Sequence, residues 1–327
     1  MLITATEKGL YCPAGDFYID PWLPVPRAVL THAHGDHARA GSEQYFAECS
    51  SEGVLRQRLG AELSLVTKRY GERFQLGAAE VSLHAAGHVL GSAQIRVRVD
   101  NETWVVTGDY KRAPDPTCAP FEPVVCDVLI SEATFALPCY RWPETRDVIA
   151  EIWRWWQSNR EQSRASVLFC YAFGKAQRVL AELMAHTSES VFLHGAVLPL
   201  VEEYRRAGIA MLPAEPVVRE KRADYRGALI IAPPSAAGTP WMRRFADAST
   251  GFCSGWMRIR GARRRRGYDR GFVLSDHADW PALIHTVAES HAKKILLTHG
   301  YSDALVRFLR EQGVDAAALR TAYGEEE

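Results

Sequence analysis

The chain has no surplus of charge. Its 327 residues carry 39 Lys and Arg against 39 Asp and Glu, a formal net charge of zero. That excludes a globally basic coat for nucleic acid or membranes, so any electrostatic argument has to be local. Long apolar runs are missing too; none approaches the ~20 residues of a membrane-spanning helix. The first residues, MLITATEKGLYCPAGD, lack a basic segment followed by an apolar one, so no secretory leader is expected. Cysteine is sparse and irregular. The seven (12, 49, 118, 126, 139, 170 and 253) are odd in number and never form Cys-x-x-Cys. They read as reduced thiols of a cytoplasmic protein, buried as small hydrophobes, and not as a zinc knuckle. No internal repeat is visible. Apolar residues, at 47%, allow a substantial core in one large domain or two of ordinary size.

What the sequence does have is a concentration of histidine. The stretch LTHAHGDHARAG, Leu30 to Gly41, holds three of the chain's 11 histidines and one aspartate between His32 and His37. The plain alternative is a solvated turn that is rich in His by accident. Against it stands the preceding RAVLT, an apolar and β-branched run that reads as a strand. Open α/β sheets bind ligands at strand ends. A group of metal-capable side chains this dense is costly to bury unless something neutralises it, so the pattern His-x-His-x-Asp-His points to metal.

Along the chain, residues 1–132 read as short strands with few helices. Candidate strands are 17–20, 27–31, 80–87, 93–99, 103–109 and 127–133, with a helix over 51–60. From about 135 to 270 the texture changes to alternating helix and strand: helices over 145–157 and 175–186, strands over 165–173, 190–195 and 227–234. After 270 follow RGFVLSDH, a helix over 280–290, a strand over 294–300 and a helix over 302–313. The simplest organisation is a metal-binding domain, 1–134 with 271–327, interrupted by an α/β insert, 135–270.

Further ligand types recur at strand ends. His88 lies in the glycine-rich turn AAGHVLGSA, Asp109 follows the β-rich VVTGD, and His299 follows ILLT. Each alone reads more readily as an ordinary hydrogen-bonded residue. With the first cluster they make seven ligands, more than one zinc uses, so a two-metal site follows with Asp109 as the bridging carboxylate.

This order of motifs resembles the metallo-β-lactamase fold, an αββα sandwich. Three further matches resemble its nucleic-acid-processing β-CASP branch: ISEATF with Glu132, FGKAQ at 173–177, and LSDHADW with His277. GLYCPAGDFYIDPW and GWMRIRGARRRRGYDRGFVLSDHADWP resemble most closely the bacterial ligase-associated DNA exonucleases. The resemblance implies an αββα sandwich carrying a short β-CASP-like α/β cap. It implies one metal on His32, His34, His88 and Asp109, and a second on Asp36, His37, Asp109 and His299. It assigns catalytic roles to His277, Glu132, Asp20 and Asp36, with Asp20 orienting the ligands and His277, oriented by Glu132, protonating the leaving oxygen. Two divalent ions are implied, Zn²⁺ first by ligand type and Mn²⁺ compatible with it. They would activate a water for attack on a phosphodiester. A DNA ligase and a helicase are implied as partners, with DNA as substrate and no membrane. His299 pulls toward RNA, because RNA-acting members of the branch carry His there, and an RNA-processing ribonuclease remains the alternative. A small-molecule metallo-hydrolase would need neither the Glu132/His277 pair nor an arginine run.

That run, RIRGARRRRGYDR, contributes Arg258, Arg260, Arg263, Arg264, Arg265 and Arg266 as candidate phosphate contacts. A solvated charged face is the ordinary reading of such a run, but its place shortly before His277 favours phosphate. Lys175, opening a helix, and Ser235, in APPSAAGTPW, are weaker phosphate candidates. His84 and His194 read as structural. The helical spacing of Trp153, Trp155 and Trp156 favours packing over base stacking.

Overall fold

The computed structural model describes residues 1–218, 224–245, 247–259 and 267–320. It is a mixed α/β protein with three sheets. Two compact units result: Met1–Arg141 with His277–Glu327, and Trp142–Asp276. The sequence had suggested seams at 134/135 and 270/271.

The first unit begins with six strands in sequential order: β1 (Thr4–Thr6), β2 (Gly9–Cys12), β3 (Phe17–Ile19), β4 (Arg27–Val29), β5 (Gln44–Glu48) and β6 (Leu65–Lys68). The first three are antiparallel, and from β3 onward the pairing is parallel. One short helix, α1 (Glu52–Leu59), links β5 to β6. A second sheet follows from β7 (Arg73–Leu76), β8 (Ala79–Ala85), β9 (Ala93–Val99), β10 (Glu102–Val106) and β11 (Val128–Glu132).

The chain then builds the second unit. Its sheet contains β12 (Ser166–Phe169), β13 (Val191–Leu193), β14 (Ala214–Pro216), β15 (Leu229–Ala232), β16 (Ser249–Cys253) and β17 (Arg270–Phe272), all paired in parallel. Among the described residues its helices are α2 (Thr145–Glu161), α3 (Lys175–Glu182) and α4 (Leu198–Arg206). Trp155 and Trp156 on α2 are buried, their indole N–H groups donating to Ser249 Oγ and the Gly227 carbonyl. The chain returns to the first unit with α5 (Trp280–Ser290), β18 (Lys294–Thr298), α6 (Ser302–Glu311) and β19 (Asp315–Ala318). β18 and β19 complete the second sheet in the order β19-β18-β11-β10-β9-β8-β7.

The central strands of that sheet are apolar on both faces, and period-two alternation sorts their side chains into two cores. Trp104, Val106, Val128, Ile130 and Leu296 join Phe17, Ile19, Val29 and Phe46 of the first sheet in one cluster. Their neighbours Val105, Leu129, Ile295 and Leu297 pack instead with Leu283 and Val287 of α5 and Leu305 and Leu309 of α6. A one-residue slip would exchange the two sets, so register is strongly specified.

That register also aims the chain's functional ends. β10, β11 and β18 are adjacent and parallel, with Val106 opposite Ile130 and Ile130 opposite Leu296. Their C-terminal ends therefore deliver Asp109, Glu132 and His299 side by side. β9 runs antiparallel to β10, so the β8–β9 turn, with His88, comes to the same edge.

Candidate metal centre

Around Asp109 the first unit assembles most of the residues singled out in the sequence. The Asp109 carboxylate is buried and ringed by imidazoles. His299 Nε2 lies 3.2 Å from Oδ1, and His32, His37 and His88 Nε2 lie 3.5, 3.6 and 3.8 Å from Oδ2. His34 completes the near side, its Nδ1 3.0 Å from His88 Nε2. One ligand atom from each of His32, His34, His88 and Asp109 falls within 4.8 Å of every other. Asp36, half-exposed, stands 3.6 Å from His37 Nε2.

The loop after β4 owes its shape to Asp20. Its Oδ1 accepts the Thr31 N–H at 2.7 Å and its Oδ2 accepts the Thr31 hydroxyl at 2.5 Å. Oδ2 also accepts from His37 Nδ1 at 2.7 Å, which turns His37 Nε2 toward Asp109. A carboxylate on Nδ1 fixes the tautomer and orientation of a ligating ring. Thr31 was not foreseen as part of the site, yet its hydroxyl, besides donating to Asp20, lies 3.0 Å from His32 Nδ1 and 3.5 Å from His37 Nδ1 and so touches two of the rings.

Backbone geometry gives close approach. Gly108 has φ +56°, and a Cβ there would meet the Thr31 side chain at 2.5 Å. Glycine thus lets Asp109 come against the histidine loop. His299 itself sits at φ +29° and Asp20 at +41°, a region that non-glycine residues occupy at a cost of ~1–3 kcal/mol when the surroundings enforce it.

The electrostatics show what the residues lack. Burial lowers the His32 pKa well below its ordinary value, helped by His37 and opposed by Asp109. His37 is buried too, which would lower it, but Asp109, Asp20 and Asp36 outweigh burial and raise it to about 10. Burial would raise Asp109, yet His37, His277 and His299 hold it well below the usual carboxylate range. His37 and Asp109 therefore favour each other's charged forms. Meanwhile the buried His32 Nε2 makes no hydrogen bond. A buried lone pair or N–H without a partner is expensive, and imidazoles converging with a carboxylate are a donor set for a divalent cation. The residues fit such a group.

Beside this cluster lies the second pairing. His277 Nδ1 is 3.0 Å from Glu132 Oε2, and Glu132, itself buried, accepts the Tyr110 N–H at 2.7 Å through Oε1. His277 Nδ1 is 4.0 Å from Asp109, and its ring centroid is 4.8 Å from that of His88.

Other expected residues fall elsewhere. His84 is held between Ser82 Oγ, 3.0 Å from Nε2, and Glu122, 2.9 Å from Nδ1; His194 Nδ1 accepts the Ala196 N–H. In the second unit Ser235 is exposed on the turn after β15, and Arg258 is exposed. Lys175 is buried at the start of α3, with Nζ 2.6 Å from Asp276, so its ammonium is engaged inside the unit and not presented at a surface. Arg260, Arg263, Arg264, Arg265 and Arg266 lie outside the described residues.

No family model matches the sequence. The chain is 32% identical over 320 residues to a probable DNA ligase from Opitutus terrae, a match covering 96% of this chain and 30% of that one. It is 40% identical over 65 residues to Integrator complex subunit 11 of Danio rerio, covering 17% of this chain and 10% of the relative. A ribonuclease from Thermus thermophilus shares 28% over 118 residues, covering 36% and 27%. The chain thus spans less than a third of the relatives it matches. These similarities support a metallo-β-lactamase/β-CASP nuclease reading of the site. Among solved structures, a protein of unknown function from Enterococcus faecalis superposes with a TM-score of 0.62 at 12% identity, over 91% of this chain and 80% of that one. At that identity the likeness concerns the fold alone. Among the described residues no helix is long and apolar enough to cross a membrane.

Proposed function

We propose that this chain is a two-metal phosphodiesterase of the β-CASP branch, a DNA exonuclease that works alongside a DNA ligase in repair. The observation that carries the reading is the juxtaposition of two devices: Asp109, ringed by imidazoles, and His277, oriented 3.0 Å from a buried Glu132. A lactonase or thioesterase needs only the first.

His32, His34, His88 and Asp109 would hold one cation, and Asp36, His37, Asp109 and His299 the other. Bound there, divalent cations supply an activated water and charge neutralisation for the phosphoryl oxygens. The chain's own residues do the rest. Asp20 fixes the His37 ring through Nδ1, so that only Nε2 faces the centre. Glu132 plays the same part for His277, engaging Nδ1 and leaving Nε2 to hold a proton for the departing oxygen. The Tyr110 N–H keeps Glu132 from rotating away. The segment 135–270 is assigned as the β-CASP-like cap, and its arginines at 258, 260 and 263–266 as phosphate contacts.

DNA is favoured over RNA because nearly the whole chain resembles a portion of a protein named for DNA ligation. A second reading, RNA cleavage, is favoured by His299 and by the relative named a ribonuclease. The test is purified protein with end-labelled single- and double-stranded DNA and RNA, supplied with Zn²⁺ or Mn²⁺. Successive shortening of DNA from one end is expected. Cleavage of RNA with DNA spared would select the second reading, and no cleavage of either would overturn both.

A further inference from the structure

We propose that Tyr301 is a stacking platform for a base of the substrate at the rim of the metal centre; this rests on the nuclease reading above and adds a substrate-binding residue to it.

Three observations within the first unit meet at this residue. Tyr301 follows His299 by two positions, and its backbone is pinned. Its N–H donates to the Ala133 carbonyl at 2.9 Å, and Gly300 is in the left-handed region, where a Cβ would meet that same carbonyl oxygen at 2.2 Å. The Tyr301 side chain is nonetheless 40% exposed, one of few large hydrophobic residues so placed among those described. Lastly, its ring is backed by a rigid aromatic series. Tyr301 stacks on Tyr140, centroids 6.1 Å apart at 29°. Tyr140 meets Phe135 edge-on at 4.8 Å, and Phe135 meets His277 at 5.8 Å. Tyr140 and Phe135 are buried, and the Tyr140 carbonyl accepts the Trp280 N–H at the start of α5.

The aromatic series runs from His277, assigned to protonate the leaving group, through two buried rings to an exposed one at the surface. A planar, pre-ordered ring loses little conformational freedom when a second planar group settles on it. Every nucleobase offers such a face, so stacking is tolerant of sequence. A platform joined to His277 through the two buried rings of Tyr140 and Phe135 would hold a nucleotide of the bound strand without dictating which base it carries. That suits an enzyme that must move along a strand.

The test uses the full chain loaded with Mn²⁺, a short single-stranded oligonucleotide, and the same oligonucleotide with abasic residues at its end. Tyr301→Leu should raise KM for the normal strand about 5- to 150-fold, the range that alanine substitution of a stacking residue gives, with kcat nearly unchanged. Wild type should disfavour the abasic strand by a similar factor, and the Leu variant should lose that discrimination. Tyr301→Phe and Tyr301→Trp should keep it, which separates stacking from a hydroxyl contact or a folding defect. If Tyr301→Leu discriminates between the strands as wild type does, the proposal is overturned. Should wild type cut neither strand, the nuclease reading has failed, and equilibrium binding of both strands to the same proteins decides the platform separately. A preference for the base-bearing strand in wild type that vanishes in the Leu variant sustains it; equal binding of the two strands by wild type removes it.

Discussion

Two buried aspartates, one in each unit, are surrounded in opposite ways. Asp276 has fixed cations from its own chain: Lys175 Nζ at 2.6 Å and Arg178 Nη1 at 3.4 Å, with Arg178 also donating to the Ser275 carbonyl and the Thr145 hydroxyl. Asp109 has imidazoles in every described contact. Lys175 and Arg178 are cationic side chains of the chain itself, so the Asp276 cluster carries its own counter-charge and forms a closed joint. Imidazole is neutral or cationic according to what approaches it. A centre built from imidazole can yield its protons and accept charge from outside. The difference between structural and functional burial here is a difference in who supplies the positive charge.

The comparison breaks most visibly at Asp109. Asp109→Ala should reduce phosphodiester hydrolysis to background, because one carboxylate serves both cation sets, whereas His84→Ala and His194→Ala should leave the rate unchanged. Steady-state rates on end-labelled DNA check this, and full activity in the Asp109 variant would remove the two-metal account.

Next in size is the proton donor. His277→Ala should lower the rate on ordinary DNA by about 10²–10⁴, the usual worth of general acid catalysis, while keeping metal and binding. A phosphodiester with a nitrophenolate leaving group should be affected far less. Glu132→Gln should give a milder version. Equal slowing of both substrates would make His277 a positioning residue.

At Asp276 the expected effect is on stability. Asp276→Ala leaves two buried cations uncompensated, which costs about 3–5 kcal/mol in denaturant unfolding. Added Zn²⁺ should not restore it, since the joint never depended on an external ion. Recovery with metal would erase the distinction between the two clusters.

Smallest is the arginine run. Replacing Arg263 to Arg266 with Ser should flatten the salt dependence of binding, by about 0.9 in slope per lost phosphate contact on duplex and about 0.7 on single strands. Metal content should be unaffected. An unchanged slope would make the run a solvated face.

Much of the centre was legible because its residues announce themselves locally. His-x-His-x-Asp-His, Gly-Asp and Thr-His-Gly each follow a strand-like run, and strand ends are where the fold brings ligands together. The strand over 93–99 and the helix over 280–290 match the observed elements, the strand because its residues alternate in polarity; the structure adds an Asp279 cap to the helix, its side chain accepting the Ala282 N–H. What escaped notice depends on distance along the chain. Lys175 was weighed for phosphate because it opens a helix, and nothing local in the sequence pointed to its partner Asp276, 101 residues away. Thr31 was hidden because a threonine in a β-branched run looks like any strand residue. β1, β2, β5, β6, β7, β14, β16, β17 and β19 are short or mixed in polarity, so no period-two pattern marked them. The Tyr301–Tyr140–Phe135 series was equally silent, being an outcome of packing and not of spacing.

The central claim is that the Asp109 cluster takes its positive charge from outside the chain. Calorimetric titration of the metal-stripped chain with Zn²⁺, followed by thermal unfolding of the loaded form, tests it most directly. The account predicts two equivalents per chain, proton release on binding as His37 gives up its proton, and a melting temperature that rises with free metal. Binding of no metal, with a melting temperature indifferent to it, would contradict the account.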